Sequence, residues 1–255
     1  GVPNRSESEE ILEPQDATDA LGTGEEEVAN EETQSDLAET PAEEDEEDEN
    51  ADPRPSLLRF SNTDLLFSGN YLVAGNYHGF NTYDISNPQA PMLLSSVVCP
   101  GGQGDVSLIG NLLIMSVQET RGRLDCGLAG VPDPVSEERI QGIRIFDVSD
   151  FSMPLQVGAV QTCRGSHTHT VVGPPNEDNN AYVYVSGTSR VRDDEELAGC
   201  SSDSPFENPE SALFRIEVIE IPIDRPQDSK IVNRPFIFSD SETGVLAGLW
   251  EGGDH

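Results

Sequence analysis

The stretch Gly142-Ile-Arg-Ile-Phe-Asp147-Val-Ser-Asp150-Phe-Ser-Met-Pro154, followed by the apolar run Leu155 to Val160, decides the fold because the chain has already used it once. The earlier copy is Gly79-Phe-Asn-Thr-Tyr-Asp84-Ile-Ser-Asn-Pro88-Gln-Ala-Pro91, followed by Met92 to Val98. A weaker third copy, Ile216-Glu-Val-Ile-Glu220-Ile-Pro-Ile-Asp224-Arg-Pro226, keeps an acid and the later proline but loses the Asp-Ile/Val-Ser turn. Alternating side chains mark a strand on each side, and Asp, Ser, Asn and Pro mark the turn between them.

A second unit precedes each copy. Asp64-Leu-Leu-Phe-Ser-Gly69-Asn70-Tyr-Leu-Val-Ala matches Asp105-Val-Ser-Leu-Ile-Gly110-Asn111-Leu-Leu-Ile-Met. Two β-rich runs joined by Gly-Asn predict a tight hairpin, since Gly accepts the positive φ that the turn needs. The third version is His167-Thr-His169-Thr-Val-Val172, a Pro/Asn-rich loop, and Tyr182-Val-Tyr-Val-Ser186. Each unit thus supplies four short strands, about 63–98 in the first, 105–161 in the second and 167–238 in the third, with the start of a further one running to 255. The interval grows from 63 (Asp84 to Asp147) to 73 (Asp147 to Glu220), which insertions in one class of loop explain.

Four-stranded antiparallel units recurring in order predict an all-β chain of β-propeller blades. A β-sandwich also has many short strands, but it does not repeat one hairpin and one turn in sequence. The phrase Tyr71-Leu-Val-Ala-Gly75…Gly79-Phe-Asn-Thr-Tyr-Asp84-Ile-Ser-Asn-Pro88, with its echo at 142–154, resembles the LVIVD repeat of bacterial and archaeal β-propellers. The resemblance spans about residues 60–240. It implies a propeller that is often exported, and it implies little about activity, because one fold hosts many functions. Three blades do not close a ring of four to eight, so the expectation is about three blades of a longer ring, the remaining blades coming from a missing C-terminal part.

The charge is uneven. The chain has 48 acidic and 14 basic side chains, a net of −34, and residues 1–53 hold 21 of those acids against one base, Arg5. Such a segment buries too little apolar surface to offset its ordering entropy, so residues 1–54 are expected to form a disordered acidic tail or linker, and 55–255 the folded part. The acidity argues against unaided nucleic-acid binding and against docking on anionic lipid. No uncharged apolar stretch of about 18 residues exists, so no transmembrane helix is expected.

In a blade map with the first strand innermost, second-to-third loops and blade-to-blade connections share one face. Cys99 and Cys163 fall in blade-to-blade connections, and Cys126 and Cys200 fall in the long insertions at about 118–141 and 187–212. His78, His167, His169 and His255 map to the same end. Long loops on a rigid scaffold are where binding concentrates. For an exported chain four cysteines suggest two disulfides with three possible connectivities. Cys99–Cys126 and Cys163–Cys200 repeat one relation in consecutive blades, each stabilising by about 3–4 kcal/mol on the loop-entropy model. Pairing between blades, free buried thiols and metal thiolates are the other readings.

His167-Thr-His169 puts two imidazoles at i and i+2, on one side of a strand, and Asp105 occupies a similar position in the preceding blade. With His255 these residues form a candidate site for a divalent metal or copper; the alternative is that they satisfy hydrogen bonds along a wet channel. Asp84 with Ser86, and Asp147 with Ser149, recur once per blade and suit turn capping rather than catalysis. Asp193 to Glu196 form an acidic run without the oxygen spacing of an EF-hand, which reads as solvated surface. Two functions remain. One is an exported, non-catalytic scaffold, extracellular, periplasmic or at the cell surface, that binds a protein or glycan through its loop-rich face. The other is a metal-dependent propeller enzyme, an oxidase or hydrolase, built on His167 and His169.

Overall fold

Short β-rich runs joined by Gly-Asn turns in the first two units, and by the Pro/Asn-rich loop in the third, produce three consecutive four-stranded antiparallel meanders. The computed structural model describes residues 61–236 together with 239, 240, 242, 243 and 246. The acidic tail expected over 1–54 and the candidate ligand His255 lie outside the described residues. The first sheet contains β1 (Asn62–Ser68), β2 (Tyr71–Asn76), β3 (Gly79–Asp84) and β4 (Met92–Val98). The second contains β5 (Val106–Ile109), β6 (Leu112–Val117), β7 (Gly142–Asp147) and β8 (Leu155–Gln161). The third contains β9 (His169–Val172), β10 (Asn180–Val185), β11 (Glu217–Pro222) and β12 (Lys230–Asn233), with a 3-10 turn at Pro226–Asp228. Gly69 and Gly110, both at φ +58, make the hairpin turns read from the sequence.

Pleating sends alternate side chains of a strand to opposite faces, and the middle sheet uses both. Leu113, Met115, Val117, Phe146 and Val148 pack toward the first sheet, against Val73, Phe80 and Leu66. Ile109, Ile114, Ile143 and Ile145 pack toward the third, against Ala181, Val183, Val185, Ile219 and Ile221. Every residue of β6 is therefore buried, and its sequence is apolar almost throughout rather than alternating. Phe80 meets Phe146 edge to face at 5.0 Å, joining the first two sheets across their interface. The first strands β1, β5 and β9 succeed one another along the inner side. Consecutive meanders packed face to face with their first strands innermost are propeller blades.

The Asp-Ser turns do more than reverse the chain. Asp84 Oδ1 accepts from the Ser86 amide at 2.7 Å, and Asp147 Oδ1 accepts from the Ser149 amide and hydroxyl at 2.8 and 2.6 Å. Those hydrogen bonds hold both carboxyls below the ordinary aspartate value. The second turn then carries Phe151 back to the first blade, where it stacks on Tyr71 at 4.4 Å and its carbonyl accepts from Thr82 Oγ1 at 2.6 Å.

The third copy differs from its sequence alignment. Asp84 pairs with Tyr71, Asp147 with Leu112 and Pro222 with Asn180, so Pro222 stands at the position of the two aspartates. Glu220 lies two residues earlier and accepts from the Tyr182 hydroxyl at 3.1 Å. A match on acid identity misplaces the register because strand position is fixed by cross-strand pairing. The third blade is also shorter than expected, with β11 and β12 at Glu217–Pro222 and Lys230–Asn233.

Candidate functional site

The second-to-third connections are long in blades two and three, and each is clamped at its base. The first insertion follows β6 and returns at β7. Cys126 within it is bonded to Cys99 at the end of blade one, with Cα atoms 4.4 Å apart. Beneath the pair lies Arg144, a β7 side chain buried completely. Its guanidinium donates to the carbonyls of Arg123 at 2.7 Å, Pro100 at 3.2 Å and Leu124 at 3.3 Å, and to Cys126 Sγ at 3.4 Å. Burial pushes Arg144 down to about 10, with only partial relief from Asp125. Outside, Arg123 spans Asp125 and Glu138, whose hydrogen bonds raise its pKa.

The second insertion repeats the device. Cys200 is bonded to Cys163 with Cα atoms 5.3 Å apart. Buried Arg215 donates to the carbonyls of Glu210 and Ser211 at 2.9 and 3.2 Å, and to Cys163 Sγ at 3.1 Å. Here the cation has a counterion, Glu217 Oε1 at 3.0 Å, which Arg234 also approaches at 3.2 Å.

The two insertions are joined to each other. Glu196, from the run expected to be solvated, has a side chain only 1% exposed. It accepts from Arg139 Nη1 of the first insertion, from Arg192 Nε at 2.6 Å and from the Ser136 amide at 2.7 Å. A charged run in a loop reads as solvated only until another loop folds over it. Gln118 adds a second tie, because its carbonyl accepts from Ser189 Oγ and its Oε1 from Thr188 Oγ1 at 3.2 Å. Two segments far apart in sequence thus form one platform. On their outer surface Leu128, Phe206 and the carboxylates of Asp133, Glu137, Asp193 and Asp194 are exposed.

The candidate metal residues lie lower, where the blades meet. The innermost strands β5 and β9 each receive a carboxylate from the blade before. Asp64 Oδ2 accepts the Val106 amide at 3.0 Å, and Asp105 Oδ2 accepts the His169 amide at 2.8 Å. Asp105 also holds His169 Nδ1 at 2.9 Å, and that nitrogen is 2.8 Å from Ser116 Oγ. Ser116 in turn meets Ser166 Oγ at 2.8 Å, which donates to the Thr168 carbonyl. With Ser166 donating to Thr168 and Ser116 donating to Ser166, Nδ1 is left as the donor to Ser116 Oγ, with the carboxylate beside it. Burial pushes Asp105 up, but the hydrogen bonds and attraction of His169 outweigh it and hold the carboxyl below its ordinary value. Nε2 of His169 is buried without a hydrogen-bond partner.

His167 is elsewhere. It sits in a bend before β9 rather than in the strand, so it does not share a strand face with His169. Its Nδ1 lies 2.6 Å from Gln118 Oε1. The Ser166 amide, bonded to the Val117 carbonyl at 2.9 Å, ties the chain to the neighbouring blade just before the strand begins. Asp105 and His169 meet while His167 is turned to the loop tie. Among the described residues no group of three His, Cys, Asp or Glu side chains is arranged to hold a metal ion. An open cavity of about 650 Å³ borders His169, Ser107, Thr170 and Pro174 on the inner strands, away from the insertions.

Sequence reasoning placed the cysteines and missed the charged groups that complete the clamps. The signal was an arginine on or beside the third strand of two consecutive blades, at positions where neighbouring side chains are apolar.

Fold and loops together define a run of β-propeller blades with clamped insertions on one face. No known family model matches this chain, and neither does any curated protein sequence. Among solved structures, the crystal structure of the N-terminal domain of Nup159 aligns at 9% identity over 69% of this chain and 48% of its own, with a TM-score of 0.24. An S. cerevisiae complex of Dbp5 with Nup159, Gle1, IP6 and ADP aligns at 8% identity, with the same coverage and a TM-score of 0.24. The chain spans about half the length of those structures. A likeness at that score adds nothing to the architecture given by the strand pairing.

Proposed function

We propose that this chain is an exported, non-catalytic β-propeller scaffold of the LVIVD-like class that binds a protein or glycan through its loop-rich face. The observation that carries the reading is the fusion of the two insertions by Arg139, Glu196 and Arg192 over two disulfide clamps. Ordering long loops costs conformational entropy, and loops ordered in advance spend less of it on binding. Two disulfides suit an oxidising compartment, which supports export. Residues 118–141 and 187–212 together carry 12 acids against 5 bases, so a protein partner would present basic groups to them. Further blades, supplied by chain beyond the three described, would cover the outward face of blade one. There Leu65 and Phe67 are 53% and 62% exposed, whereas Val106, at the position of Leu65 in blade two, is 4% exposed.

The metal-dependent reading has less support. Its carboxylate and the Nδ1 of its best-placed imidazole are committed to each other, and its second imidazole is bonded to Gln118. The test is a panel of immobilised glycans and of basic and acidic proteins probed with the full chain and with Leu128→Ser/Phe206→Ser. Binding that the double variant weakens at least tenfold, at unchanged melting temperature, supports the loop face. Binding that survives the variant, or no binding on any surface, overturns it.

A further inference from the structure

The two disulfides repeat one geometry in unlike electrostatic settings. Around Cys99–Cys126 the nearest charge is Arg144, completely buried, whose partners are three carbonyls, an amide oxygen and sulfur. The other charged groups there, Arg123, Asp125 and Glu138, pair among themselves at the surface, and Asp125 also accepts the Gly127 amide, next to Cys126, at 2.9 Å. Around Cys163–Cys200 the cation Arg215 is already neutralised by Glu217, and the other oxygen of Glu217 accepts the Cys163 amide at 3.1 Å. Arg234 stands on the solvent side of that carboxylate, and Asp194 accepts the Gly199 amide, next to Cys200, at 2.6 Å.

We propose that Cys99–Cys126 is a thiol-exchangeable redox site and that Cys163–Cys200 is a locked structural disulfide. Reduction at the first creates an anion beside a buried cation that no carboxylate bonds, Asp125 being paired with Arg123 at the surface, and reduction at the second would create an anion beside the carboxylate that bonds Arg215. A nearby arginine stabilises a thiolate and a nearby carboxylate opposes it. The co-reactant is a dithiol. Its thiolate attacks Sγ of Cys126, the partly exposed member of the pair, while Cys99 is fully buried. The S–S bond breaks, a mixed disulfide forms at Cys126, and the Cys99 sulfur leaves and takes a proton. The second thiolate of the reductant then attacks its own sulfur in the mixed disulfide and expels Cys126 as a thiolate beside Arg144. The protein gains two electrons, the dithiol becomes a cyclic disulfide, and the remaining proton goes to solvent. A leaving thiolate of lower basicity departs faster, so Arg144 favours both the second step and the reduced state. Opening the clamp frees the first insertion from blade one, so the redox state of this pair sets the rigidity of the loop platform.

The test equilibrates the full-length chain in dithiothreitol redox buffers at pH 7, quenches by alkylation and reads each cysteine peptide by mass spectrometry. Cys99–Cys126 is expected to be half-reduced at an equilibrium constant at least tenfold more favourable than Cys163–Cys200, about 30 mV. Alkylation of reduced Cys126 is expected to titrate below the ordinary cysteine value of about 8.5. Glu217→Gln should narrow the gap by making the second pair easier to reduce, and Arg144→Gln should narrow it by making the first harder. Equal constants, the reverse order, or a gap that Glu217→Gln leaves unchanged overturns the assignment. If Arg144→Gln does not fold, the wild-type order and Glu217→Gln still decide.

Discussion

Glu196 is the residue on which the loop platform turns, and its removal has a calculable consequence. Its carboxylate is 1% exposed and lies between Arg139 and Arg192, whose side chains are 8% and 3% exposed. Burial already pushes the Arg192 guanidinium below its ordinary value, and Glu196 opposes that push. Replacing the carboxylate by Ala leaves two guanidinium ions out of water without a counterion. Breaking a buried ion pair from one side costs about 3–5 kcal/mol. Both arginines keep other acceptors: Arg139 donates to the Thr120 and Pro134 carbonyls at 2.6 and 2.9 Å, and Arg192 to Gln161 Oε1. The loss should therefore fall at the low end, about 3 kcal/mol. With a urea slope of about 2 kcal/mol per M, the unfolding midpoint of Glu196→Ala should drop by about 1.5 M with little change in slope. Glu196→Gln, which keeps one acceptor oxygen, should lose somewhat less. If the insertions open without global unfolding, trypsin should cut at Arg190 and Arg121 well before the wild type is cut. A midpoint shift under about 0.3 M together with unchanged trypsin sensitivity would refute the claim that this triad joins the two loops.

Asp105 gives a pH-dependent counterpart. Its folded pKa is depressed, so its contribution is present above the unfolded value near 3.9 and is lost as pH falls through the folded value. Asp105→Asn should therefore cost about 1–2 kcal/mol at pH 6, and that cost should shrink as pH falls below the unfolded value near 3.9, read from paired thermal melts. A difference that stays constant from pH 6 down through the acid range would count against the Asp105–His169 contact as its source. Gly142 sits at φ +145, and a Cβ there would lie 2.0 Å from the Val160 carbonyl oxygen, whereas Gly110 at φ +58 has open space around it. Gly142→Ala should lose about 3 kcal/mol and Gly110→Ala about 1 kcal/mol in the same urea assay, and equal losses would contradict the close approach. Removing the second clamp with Cys163→Ser/Cys200→Ser frees a separation of 37 residues and should cost about 3–4 kcal/mol, with a fall in melting temperature as the readout.

The same few contacts account for how the platform is built. Each insertion is pinned once by a covalent bond and once by a buried arginine that collects its carbonyls. A loop carbonyl taken out of water needs a donor, and a guanidinium supplies several from one side chain. The arrangement is costly in desolvation, and the two blades offset that cost differently, by sulfur and carbonyls at Arg144 and by a carboxylate at Arg215.

Local chemistry determined the strands and their order. Gly69-Asn70 and Gly110-Asn111 fix tight turns, alternation fixes faces, and repetition of the Asp-Ser turn fixes the meander, all within a few residues of each other. The cysteine pairing was suggested in a similar way, by one relation of insertion to blade connection repeated at separations of 27 and 37 residues. Tertiary structure alone decided the rest. Pro222 rather than Glu220 takes the aspartate position because cross-strand register counts hydrogen bonds, not residue types. Glu196 is buried because residues 57 and 60 positions away fold onto it. His169 is bound to Asp105 from 64 positions away, while a bend before β9 turns His167 to Gln118. Burial and charge pairing are sums over neighbours in space, and where blades pack side by side those neighbours come from other repeats, which no local pattern encodes.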